Sequence, residues 1–221
     1  LSFPYGAYRP GQREMAAAVY RTIAASGRLF SQAPTGIGKT VSTLFPAVKA
    51  VGEGLVDRLF YLTAKTITRQ AAEQALERME TNGLRFKSVT LTAQDKICFL
   101  GERGECQPET CPYANGHYDR VNEALRALLD SADRLTRPVV ERCAREHRVC
   151  PFELALDAAL WCDGIIGDYN YAFDPQVYLR RFFQEVTERY VFLVDEAHNL
   201  VDRAREMYSA GLNRSDFTRA V

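Results

Sequence analysis

The chain has 221 residues, 47% of them hydrophobic and 25% charged, and its 28 basic residues balance 28 acidic ones. This length can hold a full α/β core with one inserted subdomain, and the composition is that of a globular protein. The longest wholly apolar runs are only a few residues, so we predict no membrane span, and no N-terminal segment has the layout of a signal peptide. The zero net charge gives no sign of nucleic-acid binding, so any basic surface has to be local.

We expect the chain to be a piece of a longer protein. It opens at Leu1 rather than at Met, and it stops at Val221 without an obvious terminus.

An aromatic, turn-rich segment opens the chain and leads into a predicted amphipathic helix over residues 10–25. The amide of Gln12 can both donate and accept, so with the neighbouring rings it suits an adenine: stacking on the face, paired hydrogen bonds on the edge. An aromatic staple at a helix start would look the same.

Residues 33–40 read APTGIGKT, which fits the phosphate-binding loop pattern. Glycines at 36 and 38 let the backbone turn tightly and aim N–H groups at phosphate oxygens. Lys39 would reach the β- and γ-phosphates, and the Thr40 hydroxyl would complete a Mg²⁺ shell. An apolar strand over 27–32 and a helix over 41–51 are predicted on either side. The alternative is an ordinary glycine-rich turn.

Two further strands are predicted over residues 58–64 and 87–92, with a helix over 65–80 between them. Lys65 and Thr66 stand at the start of that helix, where a cation, a hydroxyl and free N–H groups could grip a backbone phosphate. A capped helix with solvated polar residues is the alternative.

The α/β pattern breaks over residues 93–150, a cysteine- and arginine-rich insertion with helices predicted near 121–135 and 138–147. Four thiolates can hold zinc or an iron–sulfur cluster. The uneven spacing leans away from a zinc ribbon without excluding it. Cys143 and Cys162 are predicted to pack as small buried residues. With a phosphate loop nearby, cysteines indicate a reduced, cytoplasmic protein rather than a disulfide scaffold.

The insertion is also locally basic, with two tyrosines among its arginines. Cations with aromatic rings suit a single strand of nucleic acid. A solvated helical face is an equally good interpretation, because acidic residues are interspersed. The arginines are Arg103, Arg120, Arg126, Arg134, Arg137, Arg142, Arg145 and Arg148.

Strands are predicted again over residues 163–168 and 190–194, and the second runs straight into Asp-Glu-Ala-His. In an open parallel sheet ligands bind beyond the carboxyl ends of the strands, so this box should face the phosphate loop. Asp195 would hold Mg²⁺ through water, Glu196 would orient and deprotonate the attacking water, and His198 would relay the phosphate state. A helix start that favours acidic residues is the alternative.

These motifs together resemble the XPD/DinG (Rad3-related) family of superfamily 2 helicases over essentially the whole chain. The resemblance rests on the phosphate loop, the Asp-Glu-Ala-His box, four cysteines and the segments FPY, RPGQ, LTAKT, CPF and DYNY with DP: residues 3–5, 9–12, 62–66, 150–152, 168–171 and 174–175.

The resemblance implies an α/β, RecA-like P-loop parallel sheet with helices on both faces, interrupted by a small, mostly helical iron–sulfur insertion. It divides the chain into the first part of helicase lobe 1 (1–92), the cluster insertion (93–150), the second part of lobe 1 (151–200) and the start of a connection to an arch domain (201–221). It implies a 4Fe-4S cluster held by Cys98, Cys106, Cys111 and Cys150.

In activity, the resemblance implies an ATP-dependent 5′→3′ DNA helicase that acts on single-stranded DNA and DNA junctions, with ATP and Mg²⁺, in processes such as DNA repair. The nucleotide would be held by Arg9, Gln12, Thr35, Gly36, Gly38, Lys39 and Thr40. Lys65 and Thr66 match the motif that grips single-strand phosphates.

One departure from the family stands at Gln94, about where relatives carry an Arg. Another is that a second motor lobe, with its arginine finger, is missing. We therefore expect the fragment alone neither to hydrolyse ATP briskly nor to unwind DNA. The competing hypothesis is a metal-stapled nucleic-acid-binding module whose nucleotide site only senses ATP, and a third is another P-loop ATPase with a zinc insertion.

Overall fold

Five parallel strands form one sheet in the part of the chain that this computed structural model describes, residues 1–34, 36–101, 106–177, 179–183 and 188–211. The spatial order is β3-β2-β4-β1-β5. The strands are β1 (Arg58–Leu62), β2 (Ser88–Thr90), β3 (Arg134–Leu135), β4 (Gly164–Gly167) and β5 (Tyr190–Val194).

Helices connect the strands, as parallel pairing requires. Those of the described chain are α1 (Gln12–Ala24), α2 (Lys39–Gly52), α3 (Thr66–Thr81), α4 (Gln94–Ile97), α5 (His117–Ser131), α6 (Arg137–His147), α7 (Pro151–Ala159), α8 (Asn170–Phe173), α9 (Arg180–Phe183) and α10 (Leu200–Met207), with a 3₁₀ turn at Ala197–Asn199. None of these helices combines the length and the hydropathy that a bilayer crossing needs.

Helices cover both faces of the sheet, which confirms the predicted α/β architecture. Successive side chains of a strand point to opposite faces. Leu59 and Tyr61 therefore pack with α2 and α3 in one buried cluster. Phe60 and Leu62 pack with α5, α6 and α7 in the other.

The carboxyl ends of the three central strands lie side by side. Leu62 is in register with Gly167 of β4 and with Val194 of β5. We call this side of the sheet, defined by Leu62, Gly167 and Val194, the carboxyl edge. Whatever follows these strands in the sequence is brought together here.

The insertion is built onto the same sheet. Its strand β3 pairs parallel with β2 through Val89 and Leu135. Its helices α5 and α6 share a buried cluster with α7 and with the strands. Its core is therefore continuous with the core of the sheet.

The helix predicted over 121–135 is shifted in the structure. It begins at His117 and ends at Ser131, and Arg134–Leu135 forms β3 instead. Lys87 explains the early end, because its Nζ donates to the carbonyls of Leu129 and Ala132 (2.6 and 2.8 Å) and forms an ion pair with Asp133 at 3.1 Å. A cation at a helix C-terminus satisfies carbonyls that have no partner within the helix.

The strand predicted over 27–32 is wrong, because residues 27–34 have no regular structure. Phe30 is 92% exposed and Leu29 is 43% exposed. The segment has only these two large apolar side chains, and neither finds a surface to cover. The strands predicted over 58–64, 87–92, 163–168 and 190–194 all form, each within the predicted bounds.

Gly164 of β4 is a position where a larger residue should destabilise the sheet. A Cβ there would lie 2.5 Å from Cε1 of Phe86, whose ring is buried. We expect Gly164→Ala to lower the free energy of unfolding by about 1–3 kcal/mol, because a rigid ring would have to move. Urea denaturation measures the change.

The matched control is Gly52→Ala at the end of α2, where no atom lies within 4 Å of the added Cβ. This control should leave stability unchanged or raise it by up to about 1 kcal/mol, because alanine favours the helix more than glycine does. Equal stability of the two variants would contradict the tight contact at Gly164.

Candidate active site

The phosphate-loop motif and the Asp-Glu-Ala-His box face each other at the carboxyl edge. Lys39 opens α2 and Glu196 follows β5, and Lys39 Nζ lies 3.8 Å from Glu196 Oε1. The same Nζ donates to the carbonyl of Ala33 at 3.4 Å. Because α2 packs on β1 and β5 pairs with β1, these two residues, which are distant in the sequence, lie close together.

The two loop glycines adopt backbone conformations that suit glycine. Gly36 has φ +86° and Gly38 has φ +83°, a region that other residues rarely adopt. A Cβ on Gly38 would also lie 2.4 Å from Nε2 of Gln12. The loop therefore leaves room for the Gln12 amide. Thr35 lies outside the described residues.

The lead-in segment is fastened to the loop by Arg9 and Gln12. Arg9 Nη1 donates to the carbonyl of Gly36 at 2.7 Å. The backbone N–H of Arg9 donates to Oε1 of Gln12 at 2.8 Å, and Gln12 is only 4% exposed. Because its oxygen is bound and its nitrogen touches Gly38, the amide has one defined orientation beside the loop.

The aromatic rings of the lead-in pack against the protein. Phe3 stacks on Tyr8 with centroids 3.8 Å apart and meets Phe45 of α2 edge-on at 5.5 Å. Phe3 therefore acts as the aromatic staple at the start of the helix. The prediction that Gln12 hydrogen-bonds to an adenine does not depend on Phe3.

Two hydrogen bonds orient the carboxylate of Asp195. The hydroxyl of Tyr61 donates to Oδ2 at 2.8 Å, and the backbone N–H of Glu196 donates to Oδ1 at 3.0 Å. Burial, reinforced by the Asp195 charge, raises the pKa of Tyr61 well above its usual value, and a hydrogen bond from Thr40 opposes the shift. Tyr61 therefore stays protonated and donates throughout the physiological range.

A second buried tyrosine holds the backbone of the box. The hydroxyl of Tyr169 donates to the carbonyls of Asp195 and Glu196, the latter at 3.1 Å. Burial and the nearby Asp195 charge raise the pKa of Tyr169 to about 12. Glu196 has φ +52°, an uncommon conformation for a residue with a side chain. The tyrosine hydroxyl accordingly helps to hold this turn.

His198 touches the site from the solvent side. Its Nδ1 lies 3.6 Å from Glu196 Oε2, and its side chain is 70% exposed. It contacts the glutamate directly, and its outer face is free to meet other elements.

A charge network that the sequence analysis missed joins three elements near the carboxyl edge. Asp168, just after β4, accepts from Arg69 of α3 at 3.3 Å and from Arg203 of α10 at 3.2 Å. Arg203 also donates to Oδ1 of Asn170 at 3.0 Å. The network ties the helix that follows the Asp-Glu-Ala-His box to the helix that starts near Lys65.

Lys65 and Thr66 lie exposed at the start of α3. The hydroxyls of Thr63 and Thr68 bond to each other, and Thr68 also donates to the carbonyl of Lys65 at 2.8 Å. This turn is therefore ordered, and it presents the beginning of a 16-residue helix to solvent.

Most arginines of the insertion are paired within the protein. Arg120 donates to the carbonyls of Asn115, His147 and Arg148. Arg134 pairs with Glu77 and Glu80, and Arg137 pairs with Glu141. These contacts favour a solvated helical face over a basic surface that binds nucleic acid. Arg103 lies outside the described residues.

Each of the four predicted cluster ligands makes a contact within residues 94–150 or lies within two residues of one that does. Cys150 opens α7, and its N–H donates to Nδ1 of His117 at 3.2 Å. Cys106 accepts from Nε2 of Gln94 at 3.2 Å. Phe99, next to Cys98, contacts Tyr113, two residues beyond Cys111, with ring centroids 4.8 Å apart.

Cys106 and Cys150 are close enough to interact electrostatically. Burial raises the pKa of Cys150, the N–H groups of Glu153 and Phe152 oppose that shift, and the Cys106 charge adds to it. Four partly exposed or exposed thiols are the donor set of an iron–sulfur cluster. Within the described ranges, however, no three Cys, His, Asp or Glu side chains converge as metal ligands.

Comparison with known proteins places the chain in a family. The model of the protein family DEAD_2 matches residues 64–217, which is more than half of the chain. The chain belongs to this family. As a DEAD_2 protein it is 24% identical to the yeast Saccharomyces cerevisiae general transcription and DNA repair factor IIH helicase subunit XPD/RAD3, over 99% of this chain and 32% of the relative.

Other similarities agree with this membership. The DEAD_2 chain is 25% identical, over 70% of its length, to 16% of a regulator of telomere elongation helicase 1 homolog from Anopheles gambiae. A solved structure titled XPD_Helicase matches 92% of the chain with TM-score 0.64 and 17% identity, the chain covering 35% of it. Another, titled Truncated XPD, matches 86% with TM-score 0.58 and 19% identity, the chain covering 53% of it. The DEAD_2 chain thus shares the XPD fold and spans about a third of its yeast relative.

Cys143 and Cys162 are buried, as predicted. Burial raises the pKa of Cys143, and it raises that of Cys162 to about 12. In cluster-free protein at pH 8 we expect iodoacetamide to alkylate Cys106 first and to leave Cys143 and Cys162 unmodified, because neither forms an accessible thiolate. Peptide mass spectrometry over time measures the order.

The control is the same reaction in urea, where all six cysteines should react alike. Alkylation of Cys162 in the folded protein as fast as Cys106 would contradict its burial.

Proposed function

We propose that this chain is the first motor lobe and iron–sulfur domain of an ATP-dependent 5′→3′ DNA helicase, in which ATP hydrolysis drives translocation on single-stranded DNA. The observation that carries the proposal is the approach of Lys39 to Glu196 at 3.8 Å. An ammonium from a phosphate loop and a carboxylate from the neighbouring strand end form the pair that phosphoryl transfer to water needs.

Within the site each residue has a defined task. Lys39 binds the β- and γ-phosphates, and the N–H groups around Gly36 and Gly38 cradle them. Gln12 hydrogen-bonds to the adenine, and Arg9 holds Gln12 next to the loop. Glu196 orients the attacking water and accepts its proton. Mg²⁺, when bound through Thr40 and Asp195, supplies charge neutralisation at the phosphates.

DNA is proposed to bind beside the nucleotide. Lys65 and Thr66 present a cation, a hydroxyl and the N-terminus of α3, which suits a single-strand phosphate. His198 would pass the state of Glu196 to neighbouring elements, and the Arg69–Asp168–Arg203 network offers a path to α3. The substrates proposed are single-stranded DNA and DNA junctions.

Residues 93–150 are proposed to hold a 4Fe-4S cluster through Cys98, Cys106, Cys111 and Cys150. Support comes from the donor set itself, since four thiols that are at least partly exposed suit this cluster. Ligation has to draw the four sulfurs together, as expected where metal binding and folding are coupled. Six free thiols also support a reduced compartment, and we propose the cytoplasm.

The domain plan remains that of the sequence: residues 1–92 and 151–200 as two parts of lobe 1, 93–150 as the cluster insertion and 201–221 as the start of a connection to an arch domain. Residues 212–221 lie outside the described chain. The 221 residues alone are proposed to hydrolyse ATP slowly and not to unwind DNA, because a finger from a second lobe contributes about a thousandfold or more in rate.

Two substitutions in the full-length protein test the motor. Glu196→Gln should keep nucleotide binding and lower the ATPase kcat by about a hundredfold to ten-thousandfold, because it removes the general base. Lys39→Ala should abolish nucleotide binding, because it removes the phosphate cation. DNA-stimulated ATPase, unwinding and nucleotide affinity are measured on the same preparations.

Glu14→Gln on the exposed side of α1 is the matched control and should behave as wild type. If Lys39→Ala and Glu196→Gln retained full ATPase and unwinding activity, the motor would be disproved. If the wild-type protein bound nucleotide but showed no ATPase activity, and Lys39→Ala abolished that binding, the module that only senses ATP would be favoured.

Metal content tests the cluster. Protein prepared without air should absorb broadly at about 400 nm and contain about four irons per chain, because a cysteine-ligated 4Fe-4S cluster requires both. Cys150→Ser should lose iron and absorbance, whereas Cys143→Ala should keep them. A colourless wild-type protein with one zinc and no iron would instead support the zinc-stapled alternative.

A further inference from the structure

A buried hydroxyl contacts one of the two residues assigned to the Mg²⁺ shell. Tyr61 Oη donates to Asp195 Oδ2 at 2.8 Å. Tyr61 belongs to β1, and Asp195 follows β5. The phenol thus connects two separate elements at the point where a metal would be held.

We propose that Tyr61 is a positioning residue that holds the carboxylate of Asp195 in the orientation that Mg²⁺·nucleotide requires. This inference rests on the proposed function, and it concerns how the site is organised rather than which residues touch the substrate. Neither the phosphate-loop motif nor the Asp-Glu-Ala-His motif includes Tyr61.

The ring of Tyr61 is fixed by packing. Tyr61 is 1% exposed and lies in the buried cluster that includes Val41 and Leu44 of α2. A ring held on both sides has little rotational freedom, so its hydroxyl is pre-organised rather than recruited when ligand arrives.

Within the described chain the carboxylate of Asp195 accepts two hydrogen bonds, and only one of them comes from a side chain. The backbone N–H of Glu196 donates to Oδ1 at 3.0 Å, and Tyr61 donates to Oδ2. With both donors present, rotation of the carboxylate is restricted. Without the phenol, one oxygen loses its donor and the carboxylate is free to turn.

Residues that hydrogen-bond to metal ligands act by orienting those ligands. Their loss commonly weakens metal affinity by about ten- to a hundredfold. A bond that merely joined β1 to β5 would have a different signature. It would lower thermal stability and leave the Mg²⁺ dependence of nucleotide binding unchanged.

The test compares Tyr61→Phe with wild type in the full-length protein by calorimetric titration of ADP, first in EDTA and then at stepped Mg²⁺ concentrations. Phenylalanine keeps the ring and removes only the hydroxyl. We expect ADP affinity in EDTA to stay within about twofold of wild type, and the Mg²⁺ concentration for half-maximal enhancement to rise about tenfold.

Tyr190→Phe is the matched control. Its hydroxyl donates to the carbonyl of Phe182 at 3.1 Å, and it opens β5 at the end away from the carboxyl edge. Tyr190→Phe should titrate with Mg²⁺ as wild type does, whatever its effect on melting temperature.

The failures of the two ideas are distinguishable. A wild-type protein that binds no ADP with or without Mg²⁺ overturns the proposed function. A wild-type protein with Mg²⁺-dependent binding that Lys39→Ala abolishes, together with a Tyr61→Phe variant of unchanged Mg²⁺ dependence, overturns only the role of Tyr61.

Discussion

Parallel pairing of β1 with β4 on one side and β5 on the other determines where the predicted site residues of this DEAD_2 protein lie. Leu62 is in register with both Gly167 and Val194, and its carbonyl accepts from the N–H of Asp195 at 2.9 Å. The segments that follow these strands therefore emerge on the same side. If this register slipped by one residue, the side chains of the strand would change faces, and the approach of Lys39 to Glu196 would be lost.

The position of Cys150 depends on the same core. Cys150 precedes Pro151 at the start of α7, and Leu154 and Ala158 of that helix are fully buried beside the strands. The helices α5 and α6 share this buried cluster, and β3 joins the sheet through β2. Residues 93–150 thus contribute apolar surface to the core of the sheet.

Buried phenols and paired charges give the site its rigidity. Tyr61 and Tyr169 stay protonated at physiological pH because burial raises both of their pKa values. Each therefore remains a donor to Asp195, one to its side chain and the other to its carbonyl. Asp168 similarly holds Arg69 and Arg203 together. Buried donors and acceptors that are left unpaired are costly, so these bonds favour one arrangement.

Local patterns in the sequence were enough to predict the strands β1, β2, β4 and β5, the position of the Asp-Glu-Ala-His box directly after β5, and the burial of Cys143 and Cys162. Each depends on residues close together in the chain and on the burial of apolar side chains. The bond from Tyr61 to Asp195, the pairing of Asp168 with Arg69 and Arg203, and the pairing of β3 with β2 required the tertiary structure. They join residues far apart in sequence, and only strand order and register decide which of these meet. The same reason explains why the strand predicted over residues 27–32 does not form. Its apolar pattern is typical of a strand, but a strand also needs a neighbouring strand to pair with.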